Sequence, residues 1–128
     1  MNVPDDRRYS SDHEWIQRIG DSDVVRVGIT DYAQDSLGDV VFVEAPEVGQ
    51  QVAASDSVTE VESTKSVSDI YAPVSGVVKE ANDALDSQPE LLNSDPYGDG
   101  WICAIQMSDP SEFDTLLDAA GYRALTDG

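Results

Sequence analysis

The stretch Val58-Thr59-Glu60-Val61-Glu62-Ser63-Thr64-Lys65-Ser66 decides how the rest of the chain is read. Val58 to Glu62 is short and valine-rich, the composition of a β-strand. Strand-like sequence resumes at Val74 to Ala81 (VSGVVKEA), so Glu62 to Ser66 reads as a hairpin tip with Lys65 on it. The tip has no Gly, Asn or Pro, the usual residues of tight hairpin turns. Lysine is scarce, with Lys79 the only other one. Lys65 is therefore either a solvated turn residue or a residue whose amine has a use. A flexible stem on a rigid hairpin is a good mount for a covalently attached swinging arm. Lys79 lies beside Glu80 in a strand-like segment and reads as an ordinary surface lysine.

More strand-like segments lie on either side: His13–Ile19 (HEWIQRI), Val24–Thr30 (VVRVGIT), Val40–Glu44 (VVFVE) and Trp101–Met107 (WICAIQM). In the last, alternation puts Trp101, Cys103, Ile105 and Met107 on one face. Turn formers separate the segments, among them Gly20-Asp21, Pro46, Gly49 and Pro73 to Gly76. Many short strands with frequent turns predict a mainly β sandwich or barrel. Short helices decorate it: Asp31–Leu37 (DYAQDSL) with Gly38 just beyond, and a single turn at Pro89–Leu92. A C-terminal helix is expected from Asp109, with Pro110 at its first position and Glu112 three residues after the cap. Its apolar face would be Phe113, Leu116, Leu117 and Ala120, with Gly121 at its end. The expected organisation is a single domain: an extension over 1–8, a β domain over 9–108 and a helix over 109–128 packed on it.

The chain has 128 residues, enough to fold without a metal or disulfide. Its 26 acids against 7 bases give a net charge of −19. That balance argues against nucleic acid and anionic membrane as partners, because both need Lys/Arg to neutralise phosphate. Of the acids, 18 are Asp. With lysine nearly absent, the surface reads as halophilic, since molar salt screens such self-repulsion. No apolar run is long enough for a transmembrane helix, and the N-terminus shows no signal or transit pattern. A reducing prokaryotic cytoplasm is the expected setting.

Most catalytic constellations are missing. There is no Gly-rich phosphate loop and no nucleophile elbow. His13 is the only histidine and Cys103 the only cysteine, too few for a zinc site. Asp95–Gly100 (DPYGDG) lacks the alternating ligands of a calcium loop and reads as tight turns. Cys103 reads as a buried, inert thiol. His13-Glu14-Trp15 reads either as a core Trp, a surface Glu and a hydrogen-bonded His, or as a polar lip on a cleft.

Four blocks resemble the glycine cleavage H proteins, the lipoyl-bearing carriers. They are HEW at His13–Trp15, VGITDYAQDSLGDVVFVEAPEVGQ from Val27 to Gln50, VESTKSVSDIYAPVSGVV from Val61 to Val78 and PELLNSDPYGDGW from Pro89 to Trp101. The family usually reads Glu-Ser-Val-Lys-Ala around the modified lysine, whereas Thr64 and Ser66 flank it here; Ala45 stands where the family usually has Leu. The resemblance implies a lipoyl/biotinyl-domain-like barrel-sandwich hybrid with lipoic acid in amide linkage to Lys65. It implies a monomeric carrier rather than an enzyme. A lipoate-attaching enzyme would load it. Glycine decarboxylase, a pyridoxal-phosphate enzyme, would pass an aminomethyl group to the arm. An aminomethyltransferase would unload it, and dihydrolipoamide dehydrogenase would reoxidise the dithiol. Glu14 and Asp69 match acidic positions lining the family's cleft for the loaded arm, with His13 beside them. The alternative is a lipoate donor or relay, or a lipoyl domain serving another 2-oxoacid dehydrogenase complex. Such domains usually present Asp-Lys-Ala at the tip and lack the HEW strand and C-terminal helix.

Overall fold

The computed structural model describes residues 2–127 and has the expected mainly β architecture. Nine strands form among these residues: β1 (Arg8–Tyr9), β2 (Glu14–Arg18), β3 (Val24–Ile29), β4 (Val40–Val43), β5 (Gln51–Val52), β6 (Ser57–Ser63), β7 (Val67–Tyr71), β8 (Gly76–Ala81) and β9 (Cys103–Met107). Five helices accompany them: α1 (Asp31–Leu37), α2 (Ala84–Ser87), α3 (Leu91–Ser94), α4 (Ser111–Asp114) and α5 (Ala119–Asp127). One sheet has the order β1-β2-β3-β9-β8-β5 and the other the order β4-β6-β7. Every pairing is antiparallel.

The valines and isoleucines that mark the strands meet between the two sheets. Ile16, Val25, Val27, Val78 and Ile105 of the larger sheet share one buried cluster with Val40, Val43, Val61 and Ile70 of the smaller. Each such side chain contributes about 1.5–3 kcal/mol when fully buried. A second, aromatic cluster lies apart from this core and gathers Val3, Tyr9, Trp15, Ala119 and Tyr122. Tyr9 and Tyr122 stack with ring centroids 4.7 Å apart. Trp15 lies across from Gly28 in the β2–β3 ladder. A Cβ on Gly28 would come within 2.5 Å of the indole, so only glycine leaves room for that ring.

Several local expectations need correction. β2 begins at Glu14, not His13; His13 has φ +69° and belongs to the preceding turn. β7 was not among the expected strands, because Ser68 and Asp69 dilute its apolar pattern. α1 spans the expected Asp31–Leu37, and Thr30 before it supplies the cap: its Oγ1 accepts the Ala33 N–H at 3.2 Å. The C-terminal helix is broken in two. After α4 the chain straightens so that Leu117 pairs with Tyr9, by two backbone hydrogen bonds of 2.8 and 2.9 Å. The helix restarts as α5, burying Ala119 and Tyr122 while Ala120 is exposed, and Gly121 falls inside it. Glu112 does not close a capping box. Its carboxylate instead accepts the Ser75 N–H at 2.9 Å and the Ser75 hydroxyl at 3.1 Å. Positions 1 and 128, the outer limits of the expected divisions, lie outside the described residues.

Candidate functional site

Lys65 sits exposed in the turn between β6 and β7, which pair continuously from Thr59–Ile70 to Glu62–Val67, with a register shift before Thr59. A serine hydroxyl replaces the missing turn formers. Ser63 Oγ accepts the N–H groups of Lys65 and Ser66, both at 3.2 Å, and donates to the Ser66 carbonyl at 3.2 Å. The Ser63 N–H also donates to that carbonyl, at 2.9 Å. This side-chain-stapled turn holds the lysine without left-handed backbone at the tip.

The turn leans on the junction between α1 and β4. The Thr64 N–H donates to the Asp39 carbonyl at 3.0 Å. The lysine stem runs along Gly38, where a Cβ would stand 3.1 Å from Lys65 Cε and 3.3 Å from Cδ. Gly38 also has φ +80°, which glycine adopts freely and other residues rarely do. Two separate demands therefore fall on that one glycine.

Beside the hairpin runs a groove of about 270 Å³. Ala33, Leu37 and Ile70 give it an aliphatic part; Asp12, His13, Tyr32, Ser36, Ser66, Ser68 and Asp69 supply the rest of its lining. His13 stacks on Tyr32 with centroids 4.5 Å apart. Its Nδ1 and the Tyr122 hydroxyl are hydrogen-bonded at 2.7 Å, and that hydroxyl is bonded in turn to Thr30 Oγ1 at 2.7 Å. Burial holds the His13 imidazole below its ordinary range, outweighing the opposite pull of Asp12, and so favours the neutral ring. Burial also pushes the Tyr122 hydroxyl up to about 12.

Of the residues singled out in the sequence, the structure brings His13 and Asp69 together on this groove and places Lys65 at its edge, next to Ser66. Glu14 is not on it. Its side chain is buried, 2 % exposed, against both expectations of an exposed carboxylate. Oε1 accepts the Ser10 hydroxyl at 2.7 Å and Oε2 the Tyr71 N–H at 3.1 Å. Burial outweighs those bonds and pushes the carboxyl up to about 7. Trp15 is in the aromatic core and His13 is hydrogen-bonded, as the first of the two readings of HEW has it. Cys103 is fully buried, which pushes its thiol up to about 12 and leaves it inert. Among the described residues no group of His, Cys, Asp and Glu could hold a metal ion, and no helix is long and apolar enough to cross a membrane.

The sequence reading missed four residues that build the site: Ser63, Gly38, Tyr32 and Tyr122. Gly38 carried a signal, since it directly follows an expected helix. The others are recognisable only once β6, α1 and α5 are in place.

The comparisons with known proteins agree over nearly the whole chain. The family model described as "Glycine cleavage H-protein" matches residues 7–127. A glycine cleavage system H protein of Micrococcus luteus is 55% identical over 125 residues, covering 98% of both chains. One of Mycobacterium avium is 56% identical over 126 residues, covering 95% of each. A crystal structure of a glycine cleavage system H protein from Mycobacterium marinum superposes with a TM-score of 0.88 at 45% identity, covering 98% of this chain and 100% of that one.

Proposed function

The chain belongs to the glycine cleavage H-protein family, the lipoyl carriers of the glycine cleavage system, and from that premise we propose that Lys65 is its single lipoyl attachment site. The observation that carries this is the mount: an exposed primary amine on a stapled hairpin, its stem laid along a glycine, at the edge of a groove. The groove fits an arm of that kind. Its aliphatic part suits a hydrocarbon chain, and Asp12 and Asp69 on its lining suit a cationic end group. When bound, lipoate supplies a dithiolane that takes up the aminomethyl group from glycine with two electrons and is afterwards reoxidised.

The protein's own residues bind, shelter and present. Ser63 and Gly38 fix the root of the arm. Leu37 and Ile70 exclude water along the groove, and the His13–Tyr32 stack closes one side of it. Glu14 lies beneath, its carboxyl bonded to the Tyr71 N–H, and so sets the position of β7 and Asp69 rather than touching the cargo directly. The chain performs no catalysis itself. Glycine decarboxylase, the aminomethyltransferase and dihydrolipoamide dehydrogenase act on the arm in turn, and a tether raises its effective concentration at each. The carrier works as a monomeric single domain in a prokaryotic cytoplasm, with an acidic surface suited to high salt. Lipoate attachment by a ligase or transferase, followed by mass analysis, tests the central assignment. Lys65→Arg should accept no lipoate and Lys79→Arg should accept it normally; lipoate on Lys79 contradicts the reading.

A further inference from the structure

We propose that Asn93 is the positioning residue of the Lys65 hairpin: its side-chain amide clamps the Gly38–Val40 segment against which the turn rests, and so sets where the lysine amine stands for acylation. This rests on the reading of Lys65 as the attachment site and adds to it a residue from a different element, α3.

The amide is used on both sides. Asn93 Nδ2 donates to the Gly38 carbonyl at 2.8 Å and to Gln34 Oε1 at 3.1 Å, while Oδ1 accepts the Val40 N–H at 2.8 Å. The orientation of the amide follows from the backbone, because the Val40 N–H can only donate and the Gly38 carbonyl can only accept. One side chain thereby ties the end of α1, the start of β4 and α3 together. The support is itself rigid: the Asn93 N–H donates to the Glu90 carbonyl at 2.9 Å, and neighbouring Leu92 is fully buried.

The same segment carries the hairpin. Asp39 accepts the Thr64 N–H, and Gly38 receives the lysine stem. The clamp and the turn thus grip one three-residue segment, Gly38 to Val40. A shift of that segment moves Thr64 and the root of Lys65 with it. Gly38 leaves the segment conformationally free, so a fixed position there needs an external bond of this kind.

The test uses the full, unlipoylated chain with Asn93→Asp, which keeps the shape and puts an oxygen where two N–H donors faced oxygen acceptors. Asn82→Asp is the control. Asn82 Nδ2 also bonds two backbone carbonyls, those of Asp99 and Trp101, each at 2.7 Å, but in no contact with the hairpin. Two quantities are read: hydrogen exchange of the Thr64 amide, and kcat/KM for lipoylation by a lipoate ligase given lipoate and ATP. Asn93→Asp should speed Thr64 exchange and lower kcat/KM, each by about fivefold to tenfold, the effect of losing about one hydrogen bond. Asn93→Ala, which removes the bonds without adding charge, should rank the same way. Asn82→Asp should leave both quantities within about twofold, even at an equal loss of Tm. Unchanged Thr64 exchange in both Asn93 variants, or equal effects in the Asn93 and Asn82 variants, overturns the proposal. If the unsubstituted chain accepts no lipoate, the Lys65 reading falls instead, and Thr64 exchange alone still decides whether the clamp exists.

Discussion

The hairpin end and the aromatic end of the molecule are held together by opposite means. At the hairpin, Lys65 is exposed, its turn is held by one serine hydroxyl, and the surrounding sheet β4-β6-β7 carries acids and no other cation. At the aromatic end, Tyr9, Trp15 and Tyr122 are fully buried, and Trp15 Nε1 donates to the Pro96 carbonyl at 2.9 Å. Arginines lie over rings, Arg7 over Trp15 and Arg26 over Trp101 on this side, and Arg8 and Arg18 over Phe113, which packs on the main core. The hairpin tip itself is held by hydrogen bonds, while its sheet and the aromatic end are each backed by buried apolar side chains. The lysine tip is thus polar and reachable, and the groove beside it is tied to the aromatic end by the Tyr122–His13 hydrogen bond.

If the two ends divide the work this way, substitutions should separate cleanly. The largest functional effect belongs to Lys65→Arg, which should abolish lipoylation and leave Tm nearly unchanged. Trp15→Ala should do the reverse. Removing a buried indole costs about 3–5 kcal/mol, read as a lowered denaturation midpoint, while lipoylation of the folded fraction should persist. A Trp15→Ala variant as stable as the parent would show that the aromatic end is dispensable. Gly38→Ala tests the junction: left-handed backbone and the close lysine stem together should cost about 1–3 kcal/mol and slow acylation.

Glu14 sharpens the comparison through pH. Its folded carboxyl titrates near 7 instead of 4.5, so the folded state binds the proton more tightly than the unfolded state does. That contribution is fully present below about pH 4.5 and is lost as pH rises through about 7. Denaturation of the parent and of Glu14→Gln across pH 4–8 should therefore differ in slope, with the variant losing less stability on the way up. Parallel profiles would mean that Glu14 is solvated as an ordinary surface acid. If β7 carries Asp69 as proposed, Glu14→Gln should also shorten the lifetime of the aminomethyl-loaded carrier while sparing lipoylation.

Salt addresses the whole surface. Among the described residues the ion pairs are Arg7–Asp6, Arg18–Asp23 and Arg123–Asp5, which leave most of the acids unneutralised. Stability should rise with KCl as the Debye length falls from about 30 Å at 0.01 M to about 3 Å at 1 M. A flat Tm against KCl would remove the halophilic reading. The smallest effect is electrophoretic: amide formation on Lys65 takes the net charge from −19 to −20, so the lipoylated form should run slightly faster toward the anode.

The valine-rich strands were legible because burial between two sheets selects β-branched residues directly. The hairpin was legible from VTEVE and its scarce lysine, but the staple was not, since a serine in a turn looks like any other polar residue. Glu14 is not legible as a buried acid, because neighbouring strand residues point to opposite faces and a strand with a core Trp ordinarily leaves its neighbour exposed. Both faces of β2 are covered instead, by Tyr71 and Ser10 on one side and by the aromatic cluster on the other. The break between α4 and α5 depends on Leu117 meeting Tyr9, a partner far away in the chain that no local periodicity reveals.

The most direct measurement is the intact mass of the protein produced in lipoate-proficient cells, followed by peptide mapping across Glu62–Val67. The expected result is one lipoyl group per chain, located on Lys65 and absent from Lys65→Arg. A protein that stays unmodified beside a fully lipoylated relative, or one that carries the group on Lys79, would contradict the assignment of the hairpin as the carrier site.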